Sequence, residues 1–97
     1  MKYLDISWQH DSEDDPYRML CEVGADGFET RKLEFFKNGR IGYASEIESS
    51  ELTMLSVNRV PKLDAIVAQP GFSGAEISLQ QFEQLWREHV LRRYRDR

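Results

Sequence analysis

The sequence predicts an α+β fold, a four- to five-stranded antiparallel meander sheet packed against a C-terminal amphipathic helix. Three observations predict it. Apolar and polar residues alternate through the first half of the chain, which is the period of half-buried strands. The pairs Asp26-Gly27 and Asn38-Gly39 separate alternating runs, as in tight hairpin turns. The last part of the chain carries a capping motif followed by apolar residues at helical spacing.

Four alternating segments are predicted to pair in chain order. They cover residues 2–9, 17–23, 28–36 and 41–45. The connection between the first two is a polar, acidic loop that ends at Pro16, because proline cannot continue a strand ladder. Residues 52–57 are expected to form either a short fifth strand or an irregular edge.

Two helices are predicted after the strands. Pro61 fits the first position of a short helix, and Pro70-Gly71 ends it. The second helix begins at Ser78, which precedes Gln81 at the spacing of a capping box. Its apolar stripe consists of Phe82, Leu85, Trp86, His89, Val90 and Arg93. We expect this stripe to pack on the sheet face that carries Leu4, Ile6, Trp8, Leu33 and Phe35.

Size and composition indicate a single domain over residues 1–97. Hydrophobic residues make up 40% of the chain and aromatic residues 11%, which excludes a disordered chain. The single cysteine, Cys21, cannot form an internal disulfide, so we expect a hydrophobic core to hold the fold. The chain has neither a secretory signal pattern nor an apolar run of about 18 residues. We therefore expect a cytoplasmic protein without a membrane partner.

Charge is distributed unevenly along the chain. The net charge is −4, and residues 1–30 carry eight acidic side chains against two basic ones. Residues 87–97 instead carry five arginines against two acidic residues. Such polarity can steer a charged partner, and it can equally be a solvated surface whose two ends neutralise each other.

No spacing of residues indicates a catalytic apparatus or a cofactor. The acidic loop from His10 to Asp15 holds potential metal ligands, but we interpret it as a solvated connection kept soluble by its charge, and a metal site stays open. His10 and His89 have no acid or nucleophile at a catalytic spacing. Cys21 alternates with apolar residues and is interpreted as a small hydrophobic side chain. We therefore expect a protein that is not an enzyme.

Aromatic side chains are predicted on both faces of the sheet. Trp8 and Phe35 are assigned to one face, and Tyr3, Tyr17, Phe28, Phe36 and Tyr43 to the other. One helix covers only one face, so the second set is either an exposed patch that binds a protein or is covered by the segment after residue 46. The candidate partner-binding residues are Tyr3, Asp5, Asp11, Glu13, Asp14, Asp15, Tyr17, Arg18, Phe36 and Tyr43.

Two stretches of the sequence resemble a known family. They are Tyr3-Leu4-Asp5-Ile6-Ser7-Trp8-Gln9-His10-Asp11 and the run from Arg31 to Ala44, which contains Glu34-Phe35-Phe36 and Gly39-Arg40-Ile41-Gly42-Tyr43-Ala44. The chain resembles a family of small bacterial single-domain proteins of unknown function, and the resemblance extends to the helix start at Ile77-Ser78. It implies a bacterial domain and carries over no catalytic or ligand residue.

Three functional interpretations remain at this point. The first is a protein-binding module, most concretely an immunity-type inhibitor that occludes the active site of a bacterial toxin, since an acidic surface can mimic nucleic-acid phosphate. The second is a small-molecule or metal-binding accessory domain that uses the acidic loop and nearby aromatic residues. The third is nucleic-acid binding through the arginine-rich C-terminal tail, which the overall acidity of the chain disfavours.

Overall fold

A computed structural model of the chain describes residues 1–91. One five-stranded antiparallel sheet has the strand order β4-β3-β2-β1-β5. The strands are β1 Lys2–Trp8, β2 Arg18–Val23, β3 Glu29–Phe35, β4 Ile41–Ser45 and β5 Phe72–Ile77. The helices are α1 Leu63–Val67 and α2 Leu79–Trp86, and a π-helical turn over Arg87–Leu91 continues α2. Within residues 1–91, no helix has the length and apolar character needed to cross a membrane.

The first four strands form the predicted meander. Gly27 and Gly39 both have φ 87°, so each Asx-Gly pair makes the tight turn that its sequence predicts. Residues 52–57 do not form a fifth strand; they form the irregular segment that was the second of the two expectations for this stretch. Phe72–Ile77 is the fifth strand, and it returns to the opposite edge of the sheet beside β1.

The strand register places β1 on the opposite face from the one we expected. Leu4 pairs with Cys21, whereas Leu33 pairs with Leu20, so Leu4 and Leu33 point to opposite sides of the sheet. The expectation that Leu4, Ile6 and Trp8 share a face with Leu33 and Phe35 is therefore wrong. The physical reason is that β2 has apolar side chains on both faces. Its alternation therefore does not specify which face of β1 lies on the same side of the sheet as Leu33 and Phe35 of β3.

Each face of the sheet has its own apolar core. We call the side packed by α2 the helix face; its buried cluster is Leu20, Leu33, Phe35, Phe82, Trp86 and Val90. We call the other side the loop face; its buried cluster is Leu4, Ile6, Cys21 and Val23, against which Val60, Leu63, Ile66 and Phe72 pack. A layer of irregular chain and one short helix thus covers the face that α2 does not reach.

The predicted C-terminal helix is confirmed. Gln81 N–H donates to Ser78 Oγ at 3.1 Å, and Ser78 N–H donates to Gln81 Oε1 at 2.9 Å, which completes the capping box. Phe82, Trp86 and Val90 are buried, and Leu85 and His89 are half-buried. Arg93, the last residue of the predicted stripe, lies outside the described residues, as do the other arginines of the C-terminal tail.

Candidate functional site

The acidic loop between β1 and β2 is held in one conformation by His10. The His10 Nε2–H donates to the Pro16 carbonyl at 2.8 Å, and Nδ1 accepts from Ser12 N–H at 3.1 Å. The imidazole ring also lies against Trp8, with 4.2 Å between ring centroids. Both ring nitrogens are engaged in closing the loop, so this histidine has a structural task where it stands.

The loop presents four exposed carboxylates outward. They belong to Asp11, Glu13, Asp14 and Asp15. None of them forms an ion pair with any residue in the described range 1–91. Lys37 reaches the base of the loop, but its ammonium donates to the backbone carbonyl of His10. The result is a concentrated negative surface on an ordered turn, with one ammonium group at its base and no direct ion pair to the four carboxylates in residues 1–91.

No metal centre forms among these carboxylates. Within residues 1–91, no group of three or more His, Cys, Asp or Glu side chains is close enough to share one ion. The four acidic side chains of the loop are spread over its outer surface and are all exposed.

Asp5 and Arg18 form a two-pronged ion pair beside α2. Arg18 Nε donates to Asp5 Oδ1 at 3.0 Å, and a terminal nitrogen of Arg18 donates to Oδ2 at 2.8 Å. The hydrogen bond to Asp5 raises the pKa of Arg18 above its ordinary value. The guanidinium also lies 5.3 Å from the centre of the Phe35 ring. Since the two charges cancel, this pair adds little net charge to the acidic surface next to it.

The aromatic candidates do not form the exposed patch that we considered. Tyr3 packs against Phe82 with ring centroids 5.2 Å apart, and Tyr43 meets Trp86 edge-on, so both lie under α2. Phe36 is buried, and of the predicted aromatic set only Tyr17 is exposed. The assignment of these side chains to one face is wrong, because Tyr3 and Tyr43 lie on the helix face under α2. The chain after residue 50 covers the loop face, which is the covered alternative.

Buried polar contacts hold the covering segment on the loop face. Thr53 Oγ1 donates to Glu34 Oε1 at 2.7 Å, and Ser56 N–H donates to Glu29 Oε1 at 2.6 Å. Lys32 Nζ pairs with Glu29 at 2.7 Å. Thr53 and Glu29 are both buried. The Lys32–Glu29 pair lies within β3, whereas Thr53 and Ser56 find their partners only when the segment is docked, so these two contacts fix where it crosses the sheet.

Cys21 lies inside the loop-face core. Burial, reinforced by the carboxylate of Glu29, raises the pKa of its thiol far above the ordinary value. A thiol in this state is protonated at physiological pH and is a poor nucleophile. The interpretation of Cys21 as a small hydrophobic side chain agrees with its position.

A second charged cluster is enclosed between the sheet and α2. Arg31 donates to both oxygens of Glu22, at 3.0 and 2.6 Å, and also to Glu83 on α2. Its guanidinium lies 4.8 Å from the Phe82 ring centre and 5.1 Å from that of Trp86. The hydrogen bond from Arg31 lowers the pKa of Glu22 to about 2. Sequence reasoning missed this cluster, although a Glu and an Arg on adjacent predicted strands were available to suggest it.

The free edge of the sheet lies at β5. Ser73, Gly74, Ala75 and Glu76 are all exposed, and β5 pairs only with β1 in the described chain. Beside this edge, on the loop face, runs an open groove of about 990 Å³. Its apolar lining is formed by Leu4, Val23, Val60, Leu63, Val67 and Gly74. Sequence reasoning missed this feature as well, because the small residues of β5 give almost no strand signal.

Comparison with known proteins identifies the family but no activity. Residues 2–91 match the model of a family described as a domain of unknown function, DUF6881. The chain belongs to this family. The predicted resemblance to a single-domain family of unknown function is thereby confirmed over almost the whole chain. Neither a curated protein nor a solved structure matches the sequence. For a DUF6881 domain, any functional conclusion must therefore come from the residues themselves.

Proposed function

We propose that this DUF6881 domain is a non-enzymatic protein-binding module of the bacterial cytoplasm, and most concretely an immunity-type inhibitor of a basic toxin. One observation carries the proposal: an ordered loop holds the carboxylates of Asp11, Glu13, Asp14 and Asp15 outward, and none of them forms an ion pair in residues 1–91. Four such charges on a short turn make a strong local field that attracts a basic surface.

The way the loop is built favours binding over mere solubility. A loop that only needed charge could remain mobile, whereas this one is closed by the two hydrogen bonds of His10 and by its contact with Trp8. Pre-formed geometry lowers the entropy that a surface loses when it binds a partner. Toxins that cleave nucleic acid present basic active sites, and an ordered array of carboxylates can occupy the positions of phosphate groups there.

The titratable groups support a binding role rather than catalysis. Both ring nitrogens of His10 are engaged in the loop, and the Cys21 thiol is buried and protonated. The Glu22 and Arg31 pair is enclosed under α2. None of these groups lines the groove beside β5.

A small apolar ligand is the second candidate, and the groove beside β5 is the observation that favours it. A thermal-shift series with aliphatic and aromatic ligands tests this candidate, since a ligand bound to the folded state alone raises Tm in proportion to its occupancy. Nucleic-acid binding through the C-terminal arginines stays a prediction, because that tail lies outside the described residues.

The proposal is tested by isolating and reconstituting the partner. Tagged chain is used to recover a binding protein from the source cell, and the purified pair is examined for a stoichiometric complex and for inhibition of the partner's activity. The variant Glu13→Gln/Asp15→Asn removes two loop charges and is expected to weaken the complex about 2- to 30-fold, from roughly 0.2–1 kcal/mol for each exposed pair.

The matched control removes two charges elsewhere. Glu46→Gln/Glu51→Gln has the same net charge as the loop variant, and both altered side chains are exposed on the connection after β4. It is expected to bind as tightly as the unaltered chain. Equal weakening by both double variants would show that net charge alone matters and that the loop is not the binding surface.

A further inference from the structure

The edge strand β5 carries one charged side chain, Glu76, but no other device that usually protects a sheet edge. Native proteins blunt such edges with prolines, lysines, bulges or a covering segment. The exposed stretch Ser73 to Glu76 contains no proline or lysine, and its pairing with β1 runs without a register shift. The opposite edge, at β4, is covered by the returning chain, where Ser50 N–H donates to the Tyr43 carbonyl and Ser45 N–H to the Glu48 carbonyl. The β4 edge of the sheet is therefore covered by the following chain, whereas the β5 edge is open in residues 1–91.

The register shows which backbone groups of β5 are free. Gln9 N–H donates to the Gly71 carbonyl at 2.8 Å, which sets the alternation of bonded and non-bonded pairs between β1 and β5. Ala75 opposite Asp5 is then a hydrogen-bonded pair, whereas Gly74 and Glu76 direct their N–H and C=O groups away from the sheet. A further strand could bond these groups in register without displacing any existing contact.

The groove lies where the side chains of such a strand would project. Gly74 and Glu76 both line it, and its apolar wall comes from Leu63 and Val67 of α1 and from Val60, three residues ahead of that helix. Gly74 carries no side chain on this face, and Ile6 Cδ1 lies 2.7 Å from where its Cβ would be. A side chain from an added strand, opposite Gly74, would enter the apolar part of the groove. This is the arrangement by which strand addition gives affinity through main-chain bonds and specificity through alternate side chains.

Charge defines the chemistry of the added strand. Glu76 stands on the edge strand itself, and Asp64 lies in the first turn of α1 beside the groove; neither pairs with a cation in residues 1–91. The acidic loop begins just after Gln9, which bonds the residue preceding β5. Lys2 and Lys62 line the same groove, so its two acidic side chains are matched by two basic ones. The edge strand itself carries only the acidic Glu76, and the acidic loop follows β1 near the other end of β5.

We propose that β5 accepts an extended, basic segment of the partner protein as a sixth strand, with an apolar side chain opposite Gly74 and a lysine or arginine opposite Glu76. This inference rests on the proposed protein-binding function and names the surface and the mode of contact. The same partner then meets the acidic loop at one end of the new strand.

The test uses a defined peptide and the full chain labelled with ¹⁵N. The peptide is Thr-Lys-Thr-Val-Thr-Lys-Thr, blocked at both ends, whose symmetric sequence suits either strand direction. Amide exchange is expected to slow about twofold or more at Gly74 and Glu76. Ser73 and Ala75 are expected to change little, because their amides already bond β1. That alternation along one strand distinguishes strand addition from charge attraction.

Two substitutions separate main-chain bonding from charge. Glu76→Pro removes an outward N–H at an edge position, where proline is tolerated, and it also removes the carboxylate. Glu76→Gln removes the carboxylate alone. We expect the proline variant to lose the peptide signal and the glutamine variant to keep the alternation at reduced affinity. Gly74 is left unchanged, because a Cβ there would lie 2.7 Å from Ile6 Cδ1.

Three results overturn the proposal. The first is a peptide-induced change of amide exchange confined to residues 11–15. This result would support binding at the acidic loop and would contradict strand addition at β5. The second is protection of Gly74 and Glu76 that grows with chain concentration before peptide is added, which assigns the edge to a second copy of this chain. The third is the absence of any saturable change in amide exchange at β5 with up to millimolar peptide, while a reconstituted partner still binds through the loop.

Discussion

Replacement of Arg31 by methionine is expected to expose how much the enclosed charge cluster contributes to stability. Arg31 donates three hydrogen bonds to Glu22 and Glu83, and the Glu22 side chain is only 8% exposed. The Arg31→Met substitution keeps an apolar side chain on Phe82 and Trp86 but leaves the Glu22 charge enclosed without its partner. Removing one member of a buried ion pair costs about 3–5 kcal/mol.

The pKa of Glu22 gives a second route to the same magnitude. Its folded pKa of about 2 lies below the ordinary value of 4.5. A lowered folded pKa stabilises the native state fully above the unfolded pKa and loses that stabilisation as pH falls toward the folded value. The difference corresponds to about 3 kcal/mol at pH 7 and about 1.4 kcal/mol at pH 3. The deficit of Arg31→Met should therefore shrink by roughly half between these two pH values.

The assay is urea unfolding at pH 7 and at pH 3, followed by tryptophan fluorescence. Arg18→Met is the matched control, since Arg18 also pairs with a carboxylate on the helix face but is 34% exposed. We expect it to cost about 1 kcal/mol or less, with little dependence on pH. A deficit for Arg31→Met that is no larger than that of Arg18→Met, or one that is unchanged at pH 3, would refute the reasoning.

Three further predictions follow from single contacts. Gly42→Ala is expected to destabilise the fold by about 1–3 kcal/mol, because the new Cβ would lie 1.9 Å from Thr53 Oγ1. Gly24→Ala is the control, and it is expected to cost less in the same urea titration because its Cβ meets the movable Asp26 side chain. Cys21 should react with a thiol reagent only at the rate of global unfolding, and a fast reaction in the folded chain would contradict its burial. Ser78→Ala should cost about 1 kcal/mol by removing the cap of α2, and Ser78→Asp should restore most of it; thermal unfolding measures both.

Local chemistry made the turns and the terminal helix predictable. Gly27 and Gly39 adopt the positive φ that their turns require, and the Ser78–Gln81 capping box forms as the spacing indicates. These features depend on residues within a few positions of one another, so a single sequence contains all that is needed to predict them.

Which side chains of β1 and β3 share a face of the sheet could not be predicted, because this depends on the register of both strands with β2. β2 has buried side chains on both faces, among them Leu20 and Cys21, so its alternation does not say which face of β1 joins which face of β3. The strand β5 escaped prediction for a related reason. Its residues Ser73, Gly74 and Ala75 carry little side chain, and pairing with β1 is what makes the segment a strand.

The features of the candidate site also differ in whether they come from consecutive residues or from distant segments of the chain. The acidic loop was predicted because its residues are consecutive, and the structure adds the role of His10 in closing it. The choice between an exposed and a covered aromatic patch could not be made from the sequence, because it depended on what α2 and residues 50–71 cover. The edge of β5 and its groove arise from chain segments far apart in sequence, which no local pattern brings together.

We propose that the ordered acidic loop binds a basic protein, and the association rate constant with the purified partner, measured as a function of salt, tests this proposal. For the unaltered chain we expect this rate to fall steeply between about 0.05 and 0.5 M salt, as charges separated by more than the Debye length become screened. Glu13→Gln/Asp15→Asn should start lower and fall less steeply, while Glu46→Gln/Glu51→Gln follows the unaltered chain. Association that is independent of salt, or equal slopes for all three proteins, would contradict the account.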